Sequence, residues 1–162
     1  MRRWWAVLGM LGLVLAGCTT ATETPAATPT LTESVADLDP ASLVDARTPY
    51  IGDNSAVLAA LGAVGLPVGD FTMEIHSDAE PYGLGLALSE WPEDVDRDEA
   101  MTRRSALLLG LIGNAEYIEW SGPGSEPAHR VDVADADAAT GRDVKDALQD
   151  EAGAREVLDA LG

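Results

Sequence analysis

Three stretches of the chain carry apolar residues at helical spacing, and each predicts a helix. The first runs from Asn54 to Leu66, where apolar residues recur every three or four positions behind Asp53, a residue type that often caps helices. The second is predicted from Asp98 to Ile112 and the third from Arg142 to Leu161. Glycine near the end of the first two stretches favours termination there.

Four shorter stretches have the pattern of β-strands. Phe71 to His76 alternates apolar and polar residues, and Tyr82 to Leu88 alternates large residues with glycine or alanine, so the two predict a hairpin. Glu116 to Ser121 and Arg130 to Ala134 predict a second hairpin across a Gly/Pro turn. The two glycines of the second strand either weaken it or let another group pack close to its backbone. The expected fold is α+β, with a four-stranded, mainly antiparallel sheet and three helices in the order helix-hairpin-helix-hairpin-helix.

The first residues have a different pattern, which is typical of a secretory signal. Arg2 and Arg3 precede an apolar run that ends in Leu-Ala-Gly-Cys at Cys18. The run is too short to span a bilayer, which takes about 20 apolar residues. Its end resembles the lipobox of bacterial lipoproteins, and the resemblance implies that residues 1–17 are a signal peptide and that Cys18 is lipidated. The alternatives are an ordinary secretory signal with a chance cysteine, or an uncleaved anchor.

The rest of the chain divides into a linker and one domain. Residues 18–40 are rich in Thr, Pro and Ala and predict a linker, whereas residues 41–162 have the size of a single α+β domain.

Two acyl chains would anchor Cys18 stably in the lipid bilayer. We therefore expect the protein to be lipid-anchored at the outer, extracytoplasmic face of the cell membrane. Cys18 is the only cysteine, so a disulfide within the chain is excluded.

The chain is strongly acidic, and its charge narrows the classes of partner. It has 28 acidic and 10 basic residues and a formal net charge of −18. Such a chain repels phosphate backbones, so we expect no nucleic acid partner. It also repels anionic lipid surfaces, so the acyl group would have to hold it at the membrane without a basic patch. The acidity favours cationic partners or divalent ions, but it also serves solubility alone.

Four residues are candidates for ligand binding. Glu74 and His76 share the polar face of the first predicted strand, and such a pair can act as a general base or as half of a metal site. The alternative is a surface histidine beside a carboxylate. Tyr82 begins the second strand, and Trp91 lies in the following loop, where it either stacks on a ligand or folds back over the sheet edge. No catalytic motif, phosphate-binding loop or cofactor motif is present, so no catalytic residue and no cofactor is predicted.

The acidic loop before the second predicted helix is similar to the start of a calcium-binding loop. Asp94, Asp96 and Asp98 alternate as calcium ligands do. The pattern then fails, because Glu99 stands where the loop needs glycine and Ser105 stands where it needs glutamate. We therefore predict a solvated loop in which Asp98 caps the next helix, and no metal site.

Three separated segments carry a resemblance to a known family. They read TPYIGDNS at 48–55, EPYG at 80–83, and ALLLGLIGN at 106–114 running into YIEW at 117–120. Together they resemble the bacterial domain-of-unknown-function 4825 family, which occurs on Gram-positive lipoproteins and membrane proteins. The family has no established activity, and the resemblance implies only a weak connection with envelope sensing or regulation. Turn and cap chemistry explains each segment, so we favour a structural role for them over a binding site.

These features predict a non-enzymatic cell-surface lipoprotein. Its domain would bind an envelope ligand or an envelope or membrane protein, or would regulate a neighbouring membrane protein. The alternative is an envelope hydrolase or metal-binding enzyme that uses the Glu74/His76 face.

Overall fold

The computed structural model of the chain describes residues 31, 34–66, 69, 71–123 and 128–162. The predicted signal peptide, Cys18 and most of the predicted linker lie outside these residues. Within the described ranges, no helix is both long enough and apolar enough to cross a membrane.

The described residues form six helices, whereas the sequence predicted three. Aspartate side chains accept hydrogen bonds from first-turn amides at the start of five of them, which explains where these helices begin. The second and third helices confirm two predictions to within three residues, and the first was missed. The helices are α1 (Pro40–Asp45), α2 (Asn54–Ala63), α3 (Arg97–Leu111), α4 (Val133–Thr140), α5 (Val144–Ala147) and α6 (Glu151–Leu161).

The single helix predicted from Arg142 to Leu161 is wrong. The chain instead forms α5 and α6, because the Asp150 side chain accepts a hydrogen bond from the Gly153 amide and starts a new helix. The turn between them is tight: a Cβ on Gly153 would lie 2.0 Å from the carbonyl oxygen of Ala147. The helix α4 also shortens the fourth predicted strand, since Asp132 and Asp135 form a capping box that starts α4 at residue 133.

The sheet has four strands in the described residues, as predicted, but it is mixed. Its strands are β1 (Phe71–His76), β2 (Gly83–Leu88), β3 (Tyr117–Ser121) and β4 (His129–Asp132), and they lie in sequence order. Both predicted hairpins are antiparallel, but β2 and β3 pair in parallel. The reason is that α3 carries the chain from the end of β2 back to the start of β3, as a parallel pair requires. The α+β class is consistent with this arrangement.

One face of the sheet forms the core together with the helices. On this face, alternate residues of the inner strands are buried, and α3 is buried along most of its length. The core-facing residues of β2 and β3 are Leu84, Leu86, Leu88, Ile118 and Trp120. The opposite face is left for the polar residues of the same strands.

The last part of the predicted 18–40 linker packs against this core. Leu31 and Val35 are buried, and Leu38 packs against the buried cluster. At the other end of the chain, α6 packs on α1, and a Cβ on Gly162 would lie 2.8 Å from the Cβ of Ala36. The packed unit therefore begins before residue 41 and brings residues 36 and 162 together.

Candidate ligand-binding site

The side of the sheet that faces away from the helices is the candidate site, and we call it the open face. Strand register places the same-side residues of all four strands here. Many of them remain exposed in the described structure, with the Glu74 side chain 80% exposed. The open face comprises Thr72, Glu74 and His76 of β1; Gly83, Gly85 and Ala87 of β2; Tyr117, Glu119 and Ser121 of β3; and Arg130 and Asp132 of β4.

Gly83 provides the space in which Tyr117 lies across the sheet. The two residues are paired in the β2–β3 register, and a Cβ on Gly83 would lie 2.1 Å from Cζ of Tyr117. No side chain larger than hydrogen fits there unless the ring moves. The sequence left two roles open for the glycines of β2: to weaken the strand, or to let another group pack close to its backbone. Gly83 has the second role, because the Tyr117 ring packs against it.

Tyr117 reaches across β2 to His76. Its Oη lies 2.7 Å from Nδ1 of His76. Burial first, and then the negative charge of Glu119, raise the pKa of Tyr117 above its ordinary value of 10.0, so the phenol is neutral at neutral pH. A neutral phenol can donate its proton to Nδ1, which places the imidazole proton on Nε2. Nε2 then faces Glu74 Oε1, 3.6 Å away.

A second carboxylate stands on the other side of His76. Glu119 Oε1 lies 3.8 Å from Nδ1 of His76. Gly85 lies between the two glutamates, and a Cβ there would be 3.6 Å from Glu119 Oε1 and 3.7 Å from Cβ of Glu74. The absence of a side chain at Gly85 leaves a depression of about 150 Å³, lined among others by Thr72, Glu74, Gly85, Ala87, Glu119 and Ser121. Carboxylates around a backbone floor favour a basic group of a ligand.

Arg130 closes the β4 side of this arrangement with an ion pair. Its guanidinium lies 3.7 Å from the centre of the Tyr117 ring, as in cation–π contacts. Asp132 Oδ1 accepts hydrogen bonds from Nε at 2.9 Å and from Nη2 at 2.6 Å. The hydrogen bond to Asp132 is the main cause that raises the pKa of Arg130. The charge of Arg130 is therefore already paired, while Glu74 and Glu119 face a histidine that is charged only when protonated.

Two of the four sequence candidates lie in this site and two do not. Glu74 and His76 are central to it. Tyr82 packs partly against the core, and its carbonyl oxygen accepts a hydrogen bond from the Glu116 amide at 2.8 Å. Trp91 also packs against the core, and its Nε1 donates to the carbonyl oxygen of Val95 at 2.8 Å. The structure therefore does not bring Tyr82 and Trp91 together with the other two.

Sequence reasoning missed Tyr117, Glu119, Arg130 and Asp132. A signal was present for the first two, since they alternate with the apolar residues of a predicted strand. The missing information was the partner strand. Only the parallel pairing of β2 with β3 places Tyr117 opposite Gly83 and within reach of His76.

The acidic loop forms helix-capping and ion-pair contacts. Asp96, and not Asp98 as predicted, caps α3 by accepting from the Glu99 amide. Asp98 Oδ1 instead lies 3.2 Å from Nε of Arg97 and 3.6 Å from Nε2 of His129. Within the described part of the chain, no three His, Cys, Asp or Glu side chains are grouped so that they could hold a metal ion.

The three sequence segments at 48–55, 80–83 and 106–120 meet in the fold. The Gly113 amide donates to the Thr48 carbonyl oxygen at 2.8 Å, and Asn114 Oδ1 accepts from the Ile51 amide at 2.7 Å. These contacts tie the chain before α2 to the end of α3. The same segments supply Gly83, Tyr117 and Glu119 of the open face, so they contribute both to the framework and to the candidate site.

The chain matches the model of a known protein family. The model of a family described as "Domain of unknown function (DUF4825)" matches residues 43–130. No curated protein and no solved structure matches the chain. The matched range contains every open-face residue except Asp132, which lies two residues beyond it.

Proposed function

We propose that this chain, which belongs to the DUF4825 family, is a non-enzymatic binding or regulatory module of the cell surface. A lipid on Cys18 would hold it at the outer face of the cell membrane. The observation that supports a binding role is the open face, where Tyr117 and His76 are joined by a hydrogen bond and two glutamates border a depression. The ligand would be an envelope or membrane protein, or another envelope component.

The chemistry of the depression supports a ligand with a basic group. Glu74 and Glu119 present oxygens on both sides of the Gly85 backbone. A lysine ammonium or an arginine guanidinium placed there would form charge-assisted hydrogen bonds with them. Because the strand pairing fixes the backbone that carries both glutamates, binding would have to order only their side chains.

A second candidate is an envelope hydrolase that uses His76 and Glu74. Two contacts of His76 favour it. Nδ1 is hydrogen-bonded to Tyr117, and Nε2 lies 3.6 Å from Glu74 Oε1, as in a histidine–carboxylate pair. The metal-binding form of this candidate would need ligands that converge on one point. In the structure, His76 lies between the two glutamates. Glu74 approaches Nε2 of the ring and Glu119 approaches Nδ1, so the two carboxylates do not converge on one nitrogen.

Photo-crosslinking in intact cells tests the binding proposal. The exposed Ala87 at the rim of the depression is replaced by p-benzoylphenylalanine in the full chain, and exposed Ala152 on α6 receives the same residue as a matched control. We expect one specific adduct from position 87, and its loss when Glu74 and Glu119 are both changed to glutamine. Equal adducts from both positions, or an adduct that persists after these changes, would contradict the proposal.

Two further variants separate the remaining parts of the proposal. The Cys18→Ala chain should lose both the membrane attachment and the adduct from position 87, because the anchor would bring the open face to its partner. Unchanged attachment would contradict lipidation at Cys18. If the hydrolase candidate is correct instead, His76→Ala abolishes an envelope activity and lowers the melting temperature no more than Tyr117→Phe, which removes the same hydrogen bond.

A further inference from the structure

A buried arginine in α3 is the most unusual charged group on the helix side of the sheet. Arg104 is 2% exposed, which makes it one of the largest fully buried side chains described. Its Nη1 donates to the carbonyl oxygen of Ala100, one turn earlier in the same helix, at 3.1 Å. Its Nε is buried and has no hydrogen-bond partner. No carboxylate among the described residues forms an ion pair with it.

This guanidinium remains charged despite its burial. Loss of solvent lowers the pKa of Arg104 to about 10, and the neighbouring charge of Arg103 contributes in the same direction. A group with that pKa is still protonated at neutral pH. Burial of an unpaired cation is costly, and buried charges in proteins are normally paired or hydrogen-bonded. Arg104 thus lacks the counter-charge that such a position normally has.

The free edge of the guanidinium has a defined geometry. Because Nη1 is engaged by Ala100, the edge formed by Nε and Nη2 is the one that remains. Nη2 lies 3.9 Å from the position that a Cβ on Gly65 would occupy, and Leu38 Cδ2 lies 3.5 Å from the same position. Gly65 has φ +77°, which L side chains rarely adopt. Residue 65 therefore places no side chain between its backbone and Nη2 of Arg104.

We propose that the Nε–Nη2 edge of Arg104 binds a small oxyanion, a carboxylate or a phosphate group, between α3 and Gly65, which follows α2 by two residues. Two parallel N–H donors match two oxygens of such a group. This site lies on the helix side of the sheet and goes beyond the function proposed for the open face. It would give the domain a second ligand of opposite charge to the first.

Side-chain NMR of the full chain, purified in detergent with ¹⁵N-labelled arginine, tests the proposal directly. Sodium acetate and, separately, sodium phosphate replace sodium chloride at constant ionic strength. We expect the Nε–H signal of Arg104 to shift saturably with at least one of these anions, while that of Arg130, which is already paired with Asp132, shifts little. The anion that produces the shift identifies the class of ligand. No shift of Arg104 with either anion, or a linear shift equal to that of Arg130, overturns the proposal.

Thermal unfolding of two variants provides an independent measurement. The melting temperature of the wild-type chain should rise with the anion, because a ligand that binds only the folded state stabilises it. Arg104→Met should remove this rise, and Arg104→Lys, which keeps the charge but loses the two-donor edge, should reduce it. An equal rise in all three chains overturns the proposal. Crosslinking from position 87 should not change in either variant, so failure at one site can be distinguished from failure at the other.

Discussion

The two faces of the sheet use the same four strands in opposite ways. Ile118 and Glu119 are neighbours in β3, yet Ile118 is fully buried in the core while the Glu119 side chain is 31% exposed on the open face. The packed face is held by apolar contacts with the helices. The open face is organised by glycines and by hydrogen bonds between polar side chains. Stability therefore rests mainly on the buried residues of each strand, whereas the alternate residues of the open face can change at little cost except where they are tightly packed, as at Gly83 and Tyr117.

The largest expected effect is on the packed face. Ile118→Ala should lower the free energy of unfolding by about 2–5 kcal/mol, because it leaves a cavity beneath α3. The matched change at the next residue, Glu119→Ala, should alter it by only about 0.5 kcal/mol, as is typical of surface positions. Urea denaturation of both variants measures the difference. Similar losses for the two would show that the faces are not independent.

A smaller loss is expected where the open face itself is tightly packed. Gly83→Ala should cost about 1–3 kcal/mol, because the new Cβ overlaps the Tyr117 ring. Gly85→Ala is the control, since its Cβ would meet neighbouring atoms only at 3.6 Å or more. Chemical denaturation gives the energies, and the imidazole NMR signals of His76 report whether Tyr117 has moved. Equal stability and unchanged signals in Gly83→Ala would contradict the described position of the ring.

The Tyr117–His76 hydrogen bond should have a modest effect with a defined pH dependence. Tyr117→Phe should lose about 0.5–1.5 kcal/mol at neutral pH. Because the folded-state pKa of Tyr117 is raised, its contribution is complete below pH 10 and is lost as the pH rises through the folded-state value. Unfolding experiments between pH 7 and pH 11 should therefore show that the free energies of unfolding of the wild-type and Tyr117→Phe chains converge at alkaline pH. A constant difference across this range would contradict the assignment.

The smallest expected effect on stability is at the most exposed carboxylate. Glu74→Gln should change the free energy of unfolding by less than about 0.5 kcal/mol, because the side chain is 80% exposed and its contact with His76 is 3.6 Å long. The same change should nevertheless weaken binding to a basic ligand at the open face. Thermal unfolding and crosslinking from position 87, measured side by side, test whether the two properties separate.

The sequence predicted those elements whose bounds are set by neighbouring residues in the chain. The strict alternation from Phe71 to His76 gave β1 with its bounds, and Asp53 gave the start of α2. The break between α5 and α6 was missed because it depends on the Asp150 cap together with the close contact of Gly153 with Ala147. Apolar spacing alone continues through this break.

The candidate site was predicted only in part, since half of it depends on long-range pairing. Glu74 and His76 share one strand and were found by alternation. Tyr117 joins them because β3 pairs in parallel with β2, and no local pattern encodes which strands become neighbours. Arg104 gave no signal either, because a single arginine in an apolar helix does not reveal whether its guanidinium meets a counter-charge.

The contact between α1 and α6 has a mechanical consequence. Residues 36 and 162 lie side by side, and α1 and α6 pack against each other next to them. Tension applied to the segment that precedes residue 31 would act first on the buried side chains of Leu31 and Val35, and then on α1 where it rests on α6. Because α1 packs mainly on α6 and the strands pack on one another, a load that enters through α1 acts on contacts between helices before it acts on the strand pairs. If the domain is held through this segment, as proposed, the first contacts to bear the load lie on the helix side of the sheet, away from the open face.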